Sequence, residues 1–182
     1  MHDTIVSIRI AGPQDAGLLA EIGESTFRHT FARENTPQDM AAYLAGAFGP
    51  AHQAAELAEA GTTFLIAEAG QDAVGYARLV RAPAPECIPP GSSIEIRRIY
   101  AVSAWLGRGV GAALMRACLA EAERQGSEVI WLDVWERNER AIAFYRRWGF
   151  DQVGTQPFVL GSDLQNDLLM ARPVVQAAGA EG

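Results

Sequence analysis

Gly107, Gly109 and Gly111, at alternate positions of Leu106-Gly107-Arg108-Gly109-Val110-Gly111, are the residues of this chain whose spacing most directly implies chemistry. They lie between a strand-like run, Arg97-Arg98-Ile99-Tyr100-Ala101-Val102, and a long amphipathic stretch. Glycines at a helix start let the backbone approach a ligand closely, and the first amides of a helix have no intrahelical partner. Those N–H groups, at the positive end of the helix dipole, make an anion site suited to a pyrophosphate. The same glycines also suit plain tight packing of helix on strand. Neither a G-x-G-x-x-G dinucleotide fingerprint nor a Gly-Lys-Ser/Thr phosphate loop accompanies them.

The elements that must position this turn follow from periodicity. Val110, Ala113, Leu114, Ala117 and Cys118 recur at helical spacing, which predicts a helix over Gly107–Gln125 stopped by Gly126. Before it, Ile94–Val102 alternates as a strand but slips phase between Arg97 and Arg98, the mark of a β-bulge. After it, Val129–Trp135 reads as a strand, and Asn138 caps a short helix that runs to Trp148 before Gly149. Thr62–Glu68 and Ala73–Val80 form a hairpin about Gly70-Gln71-Asp72, and the proline-rich Ala82–Ser93 is a loop.

The N-terminal third is expected to hold a short strand over Thr4–Ile10 and a helix capped by Asp15, with Leu18, Leu19 and Ile22 on its apolar face. Helices starting at Thr36-Pro37 and spanning about Ala51–Ala60 follow. Phe150–Phe158 and Asp167–Arg172 are the last two strands, and Val174–Gly182 reads as a frayed tail. These elements make one domain over residues 1–173, of α/β (α+β) class. The strand–helix–strand–helix run makes part of its sheet parallel, with helices on both faces.

Two motifs in this order resemble the GNAT superfamily of N-acetyltransferases. The family's pyrophosphate motif, Gln/Arg-x-x-Gly-x-Gly/Ala, falls on Leu106 to Gly111, with Leu106 where Gln or Arg is usual. Its later element falls on Asn138, Ala141, Phe144, Tyr145, Gly149 and Phe150. The likeness covers Thr62 to Arg172. It is nearer still to the PaiA-type polyamine acetyltransferases, in IRRIYA (96–101), IWLDVWERNERAIAFYRRWGF (130–150), FVLGSDLQNDLLM (158–170) and TFRHTFA (26–32).

The resemblance implies a GNAT-like fold whose central parallel strands splay to admit acetyl-CoA. It implies contacts to that coenzyme from Ile99, Tyr100, Ala101, Leu106, Gly107, Arg108, Gly109, Val110, Gly111, Ala112, Asn138, Ala141 and Tyr145. It also implies direct acetyl transfer to a primary amine in a ternary complex, without an acyl-enzyme. An alkyl ammonium has a pKa of ~10.4, so something must take its proton, and the departing thiolate, of pKa ~8.5, must receive one. Tyr145 is the candidate donor, unless it is a core aromatic. Glu95 is the candidate base through a water, unless it merely pairs with Arg97 or Arg98. A spermidine- or spermine-like acceptor would need acids and aromatic faces, for which Glu95, Asp133, Glu136, Trp135, Phe27, Phe31 and Tyr43 are candidates. A protein N-terminus, a lysine, an antibiotic amine, or coenzyme sensing without turnover are the alternatives. Family habit adds a homodimer, with the C-terminal strands as its seam.

Bulk properties narrow the field. With 22 acidic and 15 basic residues the net charge is -7, the wrong sign for coating nucleic acid. Cys87 and Cys118, with His2, His29 and His52, have no metal-ligand spacing, so no metal is expected. The N-terminal MHDTIVSIRI lacks the pattern of a signal peptide, and no window approaches a membrane span, so the cytoplasm is the expected compartment.

Overall fold

A computed structural model describes residues 5–33, 35–160 and 162–175. Seven strands form one mixed sheet among these residues: β1 (Val6–Ile10), β2 (Thr62–Ala69), β3 (Asp72–Val80), β4 (Ser93–Ala101), β5 (Val129–Trp135), β6 (Asp151–Leu160) and β7 (Asp163–Pro173). Their order across the sheet is β1-β2-β3-β4-β5-β7-β6, and β4–β5 is the parallel pair. Helices α1 (Ala16–Phe31), α2 (Pro37–Ala47), α3 (Pro50–Ala58), α4 (Val110–Arg124) and α5 (Glu139–Arg147) complete the fold. The expected mixed sheet, helix faces and splayed parallel strands are all present.

Local rules account for most boundaries. Thr36 caps α2 by accepting the Asp39 N–H at 3.1 Å, with Pro37 in the first turn where its missing N–H costs nothing. Gly126, in the left-handed region at φ 69°, ends α4. The apolar face of α4 is buried as its spacing requires: Val110, Leu114, Met115 and Cys118 pack on β3, β4 and β5 residues, including Val74, Leu79, Ile96 and Ile130.

Three expectations change. Asp15 does not cap α1 through its side chain. A single 3-10 turn, Pro13–Asp15, precedes the helix, and the Asp15 carboxylate instead accepts from Gly12 N–H and Arg9, each at 2.8 Å. The last strand begins four residues earlier than its apolar run, because β7 is hydrogen-bonded to β6 along the polar Asp163–Asn166 stretch. Within the expected tail, Val174 is buried and its N–H donates to Glu128 O at 2.8 Å; residues 176–182 lie outside the described residues, as do Met1–Thr4. Among the described residues no helix is long and apolar enough to cross a membrane, and no group of three acidic, His or Cys side chains could hold a metal ion.

Candidate active site

The sheet opens at its parallel pair. β4 and β5 are hydrogen-bonded only over Ser93–Glu95 and Val129–Trp131, then diverge. The bulge lies just beyond: Arg78 pairs with Arg98 and Leu79 with Ile96, so Arg97 is the extra residue of β4. From Ile96 to Ala101 the β5-facing edge of β4 thus has no strand partner, and a cleft of about 820 Å³ fills the opening. Ile99, Tyr100 and Ala101 line it on one side, Val134 and Trp135 on the other.

One end of the cleft is built for an anion. Gly107 and Gly109 both adopt left-handed backbone, at φ 77° and 84°, which only glycine takes without strain. The first backbone bond into α4 runs from Ala113 N–H to Gly109 O at 2.9 Å. The amides of Val110, Gly111 and Ala112 therefore have no intrahelical acceptor. Leu106, Gly107, Gly109, Gly111 and Ala112 line the cleft; Val110 and Arg108 do not. The Val110 side chain is buried in the core, which leaves only its backbone to a ligand, and the exposed Arg108 guanidinium lies 5.3 Å from the Trp105 ring centre. Arg140 and Arg147, cleft residues to which the sequence analysis assigns no role, add positive charge from α5.

α5 brings Asn138, Ala141 and Tyr145 to the middle of the cleft. Asn138 Oδ1 accepts the Ala141 N–H at 3.2 Å and so caps the helix, which fixes the direction in which Tyr145 leaves it. Tyr145 packs against Phe144 and Phe150 and is buried. Burial, and then the negative charge of Asp133, push its phenol well above the usual value. It therefore stays protonated at working pH, able to donate a proton and ill suited to take one.

The opposite end is acidic and aromatic. Glu95, Asp133 and Asp167 line it, facing Phe27, Phe31, Tyr43 and Trp135. Phe27 stacks on Tyr43 at 4.5 Å between centroids, and Phe31 meets Trp135 at 5.5 Å. Both oxygens of Glu95 accept from Arg97, at 3.1 and 2.5 Å, so the pairing weighed from sequence is present. Asp133 accepts from Gln156 Nε2 at 3.0 Å, and burial with the nearby Glu95 pushes its carboxyl up. Glu136 does not line the cleft; it is exposed and accepts from Asn166 Nδ2 at 3.2 Å. Asp167 stands in its place. The only sequence signal for Asp167 is an acid at an inward position of a strand that continues as Leu168-Leu169-Met170.

Residues 25–150 match the profile of the acetyltransferase (GNAT) family. The chain belongs to the GNAT family. It is 32% identical over 173 residues to an uncharacterized N-acetyltransferase from the pepI 3′ region of Lactobacillus delbrueckii subsp. lactis, spanning 94% of this chain and 99% of that one. The N-alpha-acetyltransferase RimI of Mycobacterium tuberculosis is 38% identical over 102 residues, 54% of this chain and 58% of its own. Among solved structures, the PaiA N-acetyltransferase of Thermoplasma acidophilum in complex with coenzyme A superposes with a TM-score of 0.74 at 17% identity, covering 93% and 99% of the two chains.

This GNAT enzyme is thus an acetyl-CoA-dependent N-acetyltransferase. Its own residues fit the coenzyme. The left-handed glycines and unpaired amides at the start of α4 suit the pyrophosphate, with Arg140 and Arg147 beside them. The unpaired edge of β4 between Ile96 and Ala101 offers backbone groups to an extended pantetheine arm, and Asn138 and Ala141 line the same passage. The thioester supplies the acetyl group. Neither cysteine of this GNAT enzyme lines the cleft, and burial pushes the Cys118 thiol up to about 12, which keeps it a neutral core group.

Proposed function

We propose that this enzyme acetylates one amine of a polyamine such as spermidine or spermine, directly and without an acyl-enzyme. The observation that carries the reading is the charge polarity of the cleft. Glycine amides, Arg140 and Arg147 lie at one end, and Glu95, Asp133 and Asp167 beneath four aromatic rings at the other, where the two lining arginines, Arg97 and Arg98, are already paired with Glu95 and Glu56. A polycation needs its remaining ammonium groups balanced and its methylene links covered, which carboxylates and aromatic faces do. The resemblance of Ile96–Ala101, Ile130–Phe150 and Phe158–Met170 to PaiA-type enzymes points the same way.

In this reading Tyr145 donates a proton to the departing thiolate, and a β4 backbone N–H beyond the bulge polarises the thioester carbonyl. Glu95 and Arg97, locked together, shape the field at the acceptor end. A homodimer through the C-terminal strands belongs to the same proposal. Val159 and Leu164 lie opposite one another on β6 and β7 with 60% and 70% of their surface exposed, an apolar pair available to a second copy.

The likeness to RimI supports a second reading, the α-amine of a protein N-terminus. Steady-state thiol release from acetyl-CoA with spermidine, with a monoamine of equal length and with N-terminal peptides separates the two. A higher kcat/KM for a peptide than for spermidine overturns the polyamine assignment and leaves the acetyltransferase.

A further inference from the structure

Three carboxylates face the acceptor end of the cleft, but only one has a fully buried oxygen without a hydrogen-bond partner among the described residues. Glu95 has both oxygens on Arg97. Asp133 accepts from Gln156. Asp167 is 6% exposed, lines the cleft, and its Oδ1 is buried without a hydrogen-bond partner among the described residues. A buried carboxylate oxygen left unpaired is costly, and in a substrate cleft such an atom is an acceptor awaiting a donor. β7 fixes its place rigidly: Asp167 pairs with Trp135 of β5 on one side and Gln156 of β6 on the other.

We propose that Asp167 is the proton acceptor of the transfer, taking one proton from the incoming ammonium. The inference rests on N-acetyl transfer itself, and not on which amine is the acceptor. An ammonium R–NH3+ gives one proton to the Asp167 carboxylate and keeps the electron pair on nitrogen. That pair forms the N–C bond to the thioester carbonyl carbon as the C–S bond breaks. Tyr145 gives its proton to the thiolate, and the second proton that leaves the nitrogen restores the phenol. The products are the amide and the free thiol, with the Asp167 proton passing to solvent.

The surroundings suit this role. Burial first, then Asp133 and Glu136 from the β5 side, push the Asp167 carboxyl up to about 7. Tyr43 faces it from α2, and Glu95 with its partner Arg97 lies on β4. An ordinary carboxylate lies ~6 pKa units below an alkyl ammonium, and the shift to about 7 removes half of that gap. A group ionising near neutral pH both accepts and releases a proton readily.

Asp167→Asn and Asp167→Glu test the role on two acceptors: a strongly basic amine, and a weakly basic one such as 2,2,2-trifluoroethylamine, which is already neutral at pH 7. Loss of the base predicts that Asp167→Asn lowers kcat on the basic amine about 10²–10⁴-fold with little change in KM. The loss on the weak amine should be far smaller. The inflection near neutrality in kcat against pH should vanish in Asp167→Asn and persist in Asp167→Glu. The unliganded protein gives an independent readout. With the folded-state value raised from 3.8 to about 7, the folded chain keeps a proton that the unfolded chain releases across that window. Stability is therefore lost as pH rises through it, and Asp167→Asn should lose less Tm between pH 5 and pH 8 than wild type. Equal losses on both amines, a rise in KM alone, or parallel Tm profiles would each overturn the assignment. If spermidine is a poor acceptor but another basic amine shows the full pattern, the polyamine reading fails and this one stands.

Discussion

Asp133 and Asp167 occupy one face of neighbouring strands, Asp133 opposite Leu169 and Asp167 opposite Trp135, as diagonal neighbours in the β5–β7 ladder. Asp133 raises the charge cost of Asp167, yet only Asp133 has a hydrogen-bond donor, Gln156. Two acids so placed beside a row of aromatic rings favour positive charge at the acceptor end of the cleft, where Arg97 and Arg98 are already paired with Glu95 and Glu56.

That field predicts a salt signature. Spermidine should be acetylated with a higher kcat/KM than a monoamine of equal length, by about tenfold at low salt if one remote ammonium contributes ~1.4 kcal/mol. The advantage should shrink as ionic strength rises toward 0.5 M, because screening acts on the distal charges. Equal constants for the two amines at low salt would show that the remote ammonium is not read.

The glycine turn predicts that two glycine substitutions differ. Gly109 lies at φ 84°, so Gly109→Val strains the backbone by ~1–2 kcal/mol whatever it does to binding. Gly111 has no such constraint, and a Cβ there would sit 3.5 Å from Phe144, an ordinary contact. Gly111→Val should therefore keep its Tm within a few degrees while the acetyl-CoA Kd, measured by calorimetry, rises at least about tenfold as the side chain crowds the amides. An unchanged Kd removes the pyrophosphate from this turn.

Tyr145→Phe keeps the ring and deletes the proton donor. Acetyl-CoA affinity should hold, while kcat falls about 10²–10⁴-fold, once chemistry is shown to limit the wild-type rate. A fall of less than about threefold would leave Tyr145 with a packing role alone.

Glu56 of α3 makes a stability prediction. Its carboxylate accepts from Arg78 at 2.5 Å and from Arg98 at 2.6 and 3.0 Å, two arginines that lie directly opposite one another on β3 and β4. Burial pushes the Glu56 carboxyl up, but Arg98 and Arg78 outweigh it and hold the value below the usual range. Glu56→Gln leaves Arg98 without its counter-charge and Arg78 with only the half-exposed Glu59, and should cost about 3–5 kcal/mol, a Tm drop of roughly 10 °C. Because Arg98 lines the cleft, KM for the amine should change as well.

Much of this was legible in the chain alone, because it is local. The bulge at Arg97 shows as a phase slip within β4, the α4 turn as three alternating glycines, and the Asn138 cap as one side chain three residues from the amide it accepts. Helical and strand periods are set by neighbours a few residues apart, so the elements and their order follow directly from the sequence. What only the tertiary structure decided is which acids face the cleft and which of them are already satisfied. Glu95 turned out to be held by Arg97, Glu136 to face solvent, and Asp167 to stand unpaired in the cleft. These outcomes depend on the register of β7 between β5 and β6, which brings together Asp167, Trp135 and Gln156. A one-residue slip would turn Asp167 to the other face, and nothing within β7 itself records which register its neighbours impose.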